Sequence, residues 1–218
     1  MLKKLTLIFF TLTLAFRCDF YDLEINEDPN NPLSTTTDLL LPSIQINWAS
    51  DYQFFHDVSG GIMGHTSNSD GLSFSQTSFD GIWNSVYLSE GADLDEYLKS
   101  AALKNEAGQY LTPGALGIGE VMKAFISTTM VDFFGDIPYS ESSLGNDDAN
   151  VNPAYDDQEA IYLDCLALLD SAVVHFAASS SDPVGDLIYG GNMASWTKAA
   201  NSLKLKVLMN ARYKTDFT

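Results

Sequence analysis

Apolar residues recur at three- and four-residue steps through four stretches of this chain, and that spacing points to packed helices. Between Ile82 and Ala102 the series is Trp83, Val86, Tyr87, Leu94, Tyr97 and Leu98, interrupted at Gly91. A second stretch opens at Pro113, a residue suited to a first helical position. It runs to about Phe134, with Ile118, Val121, Met122, Phe125, Ile126 and Thr129 on one face. Gly135 is its expected stop. Asp157 is placed to cap a third helix, from Gln158 to about Phe176, whose apolar side carries Ile161, Cys165, Leu168, Leu169 and Ala172. A fourth, Met193 to Tyr213, carries Trp196, Ala199, Ala200, Leu203, Val207 and Leu208.

The segments between these stretches are polar. TTTDLLLPSIQINWA reads as a cap and a short helix whose start is limited by Pro42. Residues 56–81 are rich in Gly, Ser and Asn and read as loop with some extended structure. Residues 104–113 read as a turn, and AASSSDPVGDLIYGGN as a connector. The expected class is all-α (mainly helical), with antiparallel helix pairs and long loops in a tetratricopeptide-like stack, although no clean sequence repeat marks it.

Residues 1–17 have a different character. Lys3 and Lys4 precede the apolar run LTLIFFTLTLAF, and Arg17 and Cys18 follow it. A short basic head and about a dozen apolar residues make a secretory signal. A membrane span needs ~20. Cys18 is then the expected first mature residue and the site of acylation. Residues 18–35 read as an acidic flexible tether, and 36–218 as the folded part. Arg17 stands where bacterial lipoprotein signals usually carry a small residue, so a cleaved signal beside an ordinary cysteine is the alternative.

Charge narrows the partners. The chain has 11 Lys plus Arg against 29 Asp plus Glu. Such a surface repels nucleic acid and anionic head groups, so no nucleic-acid partner is expected. With Cys18 acylated, Cys165 stands alone in an apolar helical context and reads as a buried small residue. Two cysteines cannot build a disulfide scaffold or a cysteine-based zinc site.

Motifs of catalysis are missing from the sequence. There is no nucleotide-binding glycine loop, no G-x-S-x-G elbow and no H-E-x-x-H. His56, His65 and His175 fit no compact metal spacing. Acidic pairs such as Asp147–Asp148 and Asp156–Asp157 arise by chance among 29 acids. GNDDAN has calcium-type oxygen ligands without a calcium-loop spacing. No cofactor is expected. Aromatic rings are the better binding elements, because a ring face can cover the apolar face of a sugar. Trp48, Tyr52, Phe74 and Phe79, in or beside the polar loop, are the candidate ligand-binding residues, with core packing as the competing reading for each.

The most distinctive segment is Asp132 to Glu141, DFFGDIPYSE. It combines a helix end, a glycine stop and an Ile-Pro pair that forces extended geometry. Asp136 is placed to accept local backbone hydrogen bonds. This segment, with Asn26–Pro32 after Cys18, Pro153–Tyr162 followed by Leu168–Asp170, and Tyr189–Asn192 followed by Trp196–Lys204, resembles the SusD/RagB-like outer-membrane lipoproteins, in the SusD-like branch. Within it, Asp132, Gly135, Asp136, Pro138, Tyr139, Glu141, Tyr155, Gln158, Trp196 and Asn201 carry the resemblance.

The resemblance implies a binding protein and not an enzyme. It implies a lipid anchor in the outer membrane through acylated Cys18, with the protein exposed at the cell surface. It also implies capture of an oligosaccharide or peptide ligand beside a TonB-dependent SusC-like barrel transporter, and a tetratricopeptide-like scaffold. Members of the family are much longer, so this chain is expected to be the amino-terminal part of an incomplete SusD-like fold. A structural or adhesin-like surface lipoprotein and a glycoside hydrolase are the alternative functions.

Overall fold

The helical spacing is realised as α1 (Thr37–Ile62), α2 (Asp80–Asn84), α3 (Gly91–Ala101), α4 (Pro113–Phe134), α5 (Gln158–Ala178) and α6 (Met193–Asn210). The computed structural model describes residues 36–65, 79–142, 152–180 and 183–213. The signal, the tether with Cys18, and GNDDAN lie outside the described residues. Two short strands, β1 (Ile137–Pro138) and β2 (Tyr155–Asp156), pair antiparallel, with Ile137 opposite Asp156 and Pro138 opposite Tyr155. The described fold is mainly helical, as expected.

Helix α4 is the centre of this arrangement. It touches α3, α5, α6 and β1. A single apolar face was the expectation, but residues all round the helix are buried, from Gly114 through Val131. A helix apolar on every side must lie inside the protein. Close approach is made possible by small residues. A Cβ on Gly117 would lie 2.6 Å from the Phe176 ring of α5. The ends of α4 follow the sequence: Pro113 stands in its first turn, and Gly135, at φ +77°, stops it.

Two neighbours keep the expected pattern. Asp157 caps α5 by accepting hydrogen bonds from the Glu159 and Ala160 backbone N–H groups, which satisfies donors the first turn leaves free. Ile161, Cys165, Leu169, Ala172 and Phe176 are buried. Helix α5 is long and apolar enough to cross a membrane by length and composition, but in this fold it packs against α4 and α6. In α6, Trp196, Ala200, Leu203 and Val207 are buried.

Helix α1 differs from expectation. It is 26 residues long and runs through Pro42 to Ile62, so residues 56–62 are helix and not loop. Pro42 has no N–H to donate to the Asp38 carbonyl. That carbonyl is instead packed beneath Gly185, where an added Cβ would lie 2.7 Å from it. Leu41 and Ile44 flank the proline and are fully buried, so their burial outweighs one missing hydrogen bond.

The interruption at Gly91 has a structural cause. Residues 85–90 form a π-helical turn that joins α2 to α3. The wider turn inserts one residue into the helical phase, which explains why buried Val86 and Leu94 are eight apart rather than seven. A Cβ on Gly91 would lie 2.2 Å from the Val86 carbonyl oxygen, so only glycine fits there. The same turn carries Glu90 into the interior. Glu90 is fully buried, and neither of its carboxyl oxygens has a hydrogen-bond partner among the described residues. Asp51 lies close by, and its carboxylate accepts from Ser85 Oγ at 2.9 Å.

Burial, and then the nearby Asp51 and Asp93 carboxylates, push the Glu90 pKa up to about 9. Between the unfolded value of about 4.5 and this folded value, folding takes up a proton. The resulting stability is complete below the unfolded pKa and is lost as pH rises towards the folded one, with a slope of up to about 1.4 kcal/mol per pH unit. Glu90→Gln is expected to flatten this dependence. In thermal melts from mildly acidic to alkaline buffer, the variant's advantage over the parent grows with pH, and parallel curves would disprove the assignment.

Candidate ligand-binding groove

The DFFGDIPYSE segment builds a clasp between the end of α4 and the start of α5. The Asp136 Oδ1 accepts the Gln158 backbone N–H at 3.0 Å. Its partner is therefore across the clasp, not in the local turn expected from sequence. The Tyr139 and Ser140 backbone N–H groups both donate to Asp156 Oδ2, at 3.0 and 2.8 Å. These bonds, led by that from Ser140, hold the Asp156 carboxyl below its usual pKa. Glu141 accepts the Ala154 backbone N–H at 3.0 Å. The Pro138 carbonyl accepts the Tyr87 hydroxyl at 2.9 Å. The Tyr139 hydroxyl donates to Asp164, and burial first, then neighbours including Asp164, raise its pKa.

Asp132 ties the clasp to α6. Its carboxylate accepts from the Tyr162 hydroxyl, from Lys206 Nζ at 2.7 Å and from Asn210 Nδ2 at 2.9 Å. Tyr155 is exposed on β2. Asn201 donates to the Thr197 carbonyl within its own helix, at 3.0 Å. In the clasp every carboxylate named here is occupied by a structural bond.

A second polar centre fixes the connector before α6. Asp186 is buried and accepts five hydrogen bonds. Gln45 Nε2 (2.8 Å), Ile188 N (3.0 Å) and Tyr189 N (3.4 Å) donate to Oδ1. Trp196 Nε1 and Gly191 N donate to Oδ2, each at 2.8 Å. Gln45 completes the link by accepting the Leu187 N–H at 2.6 Å. Burial raises the Asp186 pKa, but these bonds outweigh it and hold the carboxyl below its usual value. Neither Gln45 nor Asp186 was a candidate from sequence. No local sequence signal pairs them, since they lie 141 residues apart.

The connector so held closes one side of a groove of about 510 Å³ between α1, α4 and α6. Trp48, Phe125, Tyr189 and Trp196 supply its rings, with Met122 and Leu203 between them. Trp48 meets Phe125 edge-on at 4.8 Å and stacks with Tyr52 at 6.2 Å. Tyr52 is half exposed. The Trp48 Nε1–H is buried without a hydrogen-bond partner among the described residues. Such a donor is costly to leave unmatched.

The other candidate rings go elsewhere. Phe79 packs with Phe54, Phe133 and Phe134, at 6.1, 6.5 and 5.5 Å between centroids, so it belongs to an internal aromatic cluster. Phe74 lies outside the described residues. His175 joins Glu120 at 2.8 Å between α5 and α4, and burial keeps the Glu120 carboxyl above its usual pKa despite that bond. Among the described residues no three of His, Cys, Asp and Glu converge on a metal position.

A second groove of similar volume lies beside the clasp, lined by Trp83, Tyr87, Lys123 and Tyr139. Several of its polar groups are engaged: the Tyr87, Tyr139 and Ser142 hydroxyls each donate within the fold. Lys123 pairs with Asp95 at 3.4 Å and lies 5.5 Å from the Tyr139 ring centre. The Trp48 groove has the open ring and the unmatched donor, and it is the better candidate.

Comparison with protein families matches residues 29–215 to a SusD-like family described as starch-binding and associating with the outer membrane. The chain belongs to the SusD-like family. Comparison with curated proteins finds no match. Solved structures share the fold. A SusD/RagB family protein from Bacteroides thetaiotaomicron is 21% identical, with a TM-score of 0.61, over 81% of this chain and 38% of that one. A chitin-binding protein is 24% identical, with a TM-score of 0.70, over 84% of this chain and 41% of that one. A SusD homologue from Bacteroides fragilis is 26% identical, with a TM-score of 0.54, over 81% and 36%. The chain thus spans about two-fifths of the length of these structures.

In this SusD-like chain the Asp186 centre positions both the connector and Trp196, so the groove depends on it. Its depressed pKa means that its contribution is present above the unfolded pKa of about 3.8 and is lost as pH falls through the lower folded value. Asp186→Asn removes the charge and turns one accepting oxygen into a donor. We expect a loss of about 3 kcal/mol in urea unfolding at neutral pH. An unchanged midpoint would show that the five bonds are not a stabilising unit.

Proposed function

We propose that this SusD-like chain captures an oligosaccharide, or another nutrient such as a peptide, at the cell surface. It passes the ligand to a TonB-dependent SusC-like transporter in the outer membrane. Acylated Cys18 holds it on the membrane, and residues 18–35 let the folded part stand away from the lipid. The helices form tetratricopeptide-like antiparallel pairs that serve as a scaffold. The chain is a binding protein and not an enzyme.

The observation that carries this reading is the family match over residues 29–215, taken with the aromatic groove at Trp48. Ring faces with a polar rim suit a sugar, whose axial C–H face is apolar and whose edge is all hydroxyl. A chitin-binding protein among the similar structures supports a glycan over other nutrients. The clasp carboxylates are bound within the fold, which leaves them no free acid–base role.

The test is a panel of oligosaccharides and peptides titrated calorimetrically against the protein. Binding of at least one is expected, and Trp48→Ala is expected to weaken it about tenfold, as loss of a central ring does. Turnover of any ligand that copurifies with the protein and survives further purification would sink the reading. The anchor is checked separately. Fatty-acid labelling in the producing cell is expected for the parent and absent in Cys18→Ala.

A further inference from the structure

Among the described residues the groove is lined by two lysines and no carboxylate, in a chain that is acidic overall. The whole chain carries 29 acidic residues against 11 basic ones. Yet from Met193 to Thr215 the sequence has Lys198, Lys204, Lys206, Arg212 and Lys214 and no acidic residue. Helix α6 occupies most of this stretch and forms one wall of the groove. It contributes Lys198 and Lys206 to the lining, and among the described residues that lining contains no Asp or Glu. The second groove, beside the clasp, is lined by Asp95 and Glu96 as well as lysines. The absence of carboxylates is therefore a property of this groove, not of grooves in this protein.

The cations along α6 do not all have the same status. Lys204 pairs with Asp170, and Lys206 with Asp132 at 2.7 Å. Arg212 donates to the Met209 carbonyl at 2.8 Å. Lys198 is exposed and makes no ion pair among the described residues. In a chain this acidic, a lysine at the mouth of an aromatic groove is without a carboxylate. The Lys206 ammonium also lies 5.8 Å from the Phe125 ring centre, so a positive charge reaches the groove's ring surface.

A neutral sugar asks for ring faces and for carboxylates or amides to bind its hydroxyls. This groove has the faces and lacks the carboxylates. The overall negative charge works against an anionic ligand, so such a ligand needs a local cationic landing place. We propose that the Trp48 groove takes an oligosaccharide bearing acidic groups, uronate carboxylates or sulfates, with Lys198 as the residue that meets the anion. This rests on the glycan-capture reading above and specifies its substrate class.

The experiment titrates three probes against the protein, at low and at high salt: an oligogalacturonate, a sulfated galactan oligomer and maltotetraose. Binding of at least one acidic probe, tighter than maltotetraose and weakened by salt, is expected. Which acidic probe binds distinguishes carboxylate from sulfate. Lys198→Glu, on an exposed helical face, is expected to keep the parent's circular dichroism and melting temperature. It should bind the acidic probe about fivefold more weakly, since an exposed charge contact is modest in strength. Maltotetraose binding equal to or tighter than both acidic probes overturns the inference while leaving glycan capture intact. An acidic probe bound equally by parent and Lys198→Glu overturns the role of Lys198 and with it the proposal. Failure of all three probes overturns the proposal and counts against glycan capture itself.

Discussion

One buried carboxylate holds the two ends of the described chain together. Asp186 bonds Gln45 in the first helix and Trp196 in the last, across 141 residues in the first case. Closing so long a loop has an entropic cost, though it grows only slowly with length. A buried charge is tolerable only when its lone pairs are met, and five donors meet these. The connector between α5 and α6 therefore has one arrangement. Gly185 and Gly191 supply the tight turns, and Tyr189 and Trp196 are set at a T-shaped 5.1 Å. The groove's connector-side wall follows from that single group.

Much of the fold was legible because it rests on local rules. The Asp157 cap, the Gly135 stop and the buried faces of α5 and α6 depend on neighbours three or four residues away. What was hidden depends on residues far apart in sequence. Pro42 reads as a helix boundary until Gly185 is seen covering the carbonyl it leaves free. Gly91 reads as a flaw until the π turn shows that it makes room for the Val86 carbonyl. Asp136 reads as a local turn acceptor, while its bond reaches Gln158. Among the candidate rings, Trp48 and Tyr52 were found together because they are one helical turn apart. Phe79 was drawn into the core by Phe133 and Phe134, which no local pattern announces.

The family motif and the groove divide the work of the molecule. The motif residues from Asp132 to Glu141 satisfy one another and their neighbours, and they keep α4, α5 and α6 in register. The groove uses residues outside that motif, Trp48, Phe125 and Lys198 among them. The family match runs over residues 29–215 and so takes in both the clasp and the groove's α6 wall.

Helix α4 has a consequence of its own. Gly114, Gly117 and Gly119 crowd its first two turns, and Ser127, Thr128 and Thr129 its last third. Each such glycine costs a helix about 1 kcal/mol relative to alanine, so this segment alone would not hold a helix in water. It is helical because α3, α5 and α6 surround it. The amides at its centre should therefore exchange with solvent only through opening of the whole array, while those of the longer but more exposed α1 exchange through local fraying. The element at the middle of the protein would give up its shape only with everything else.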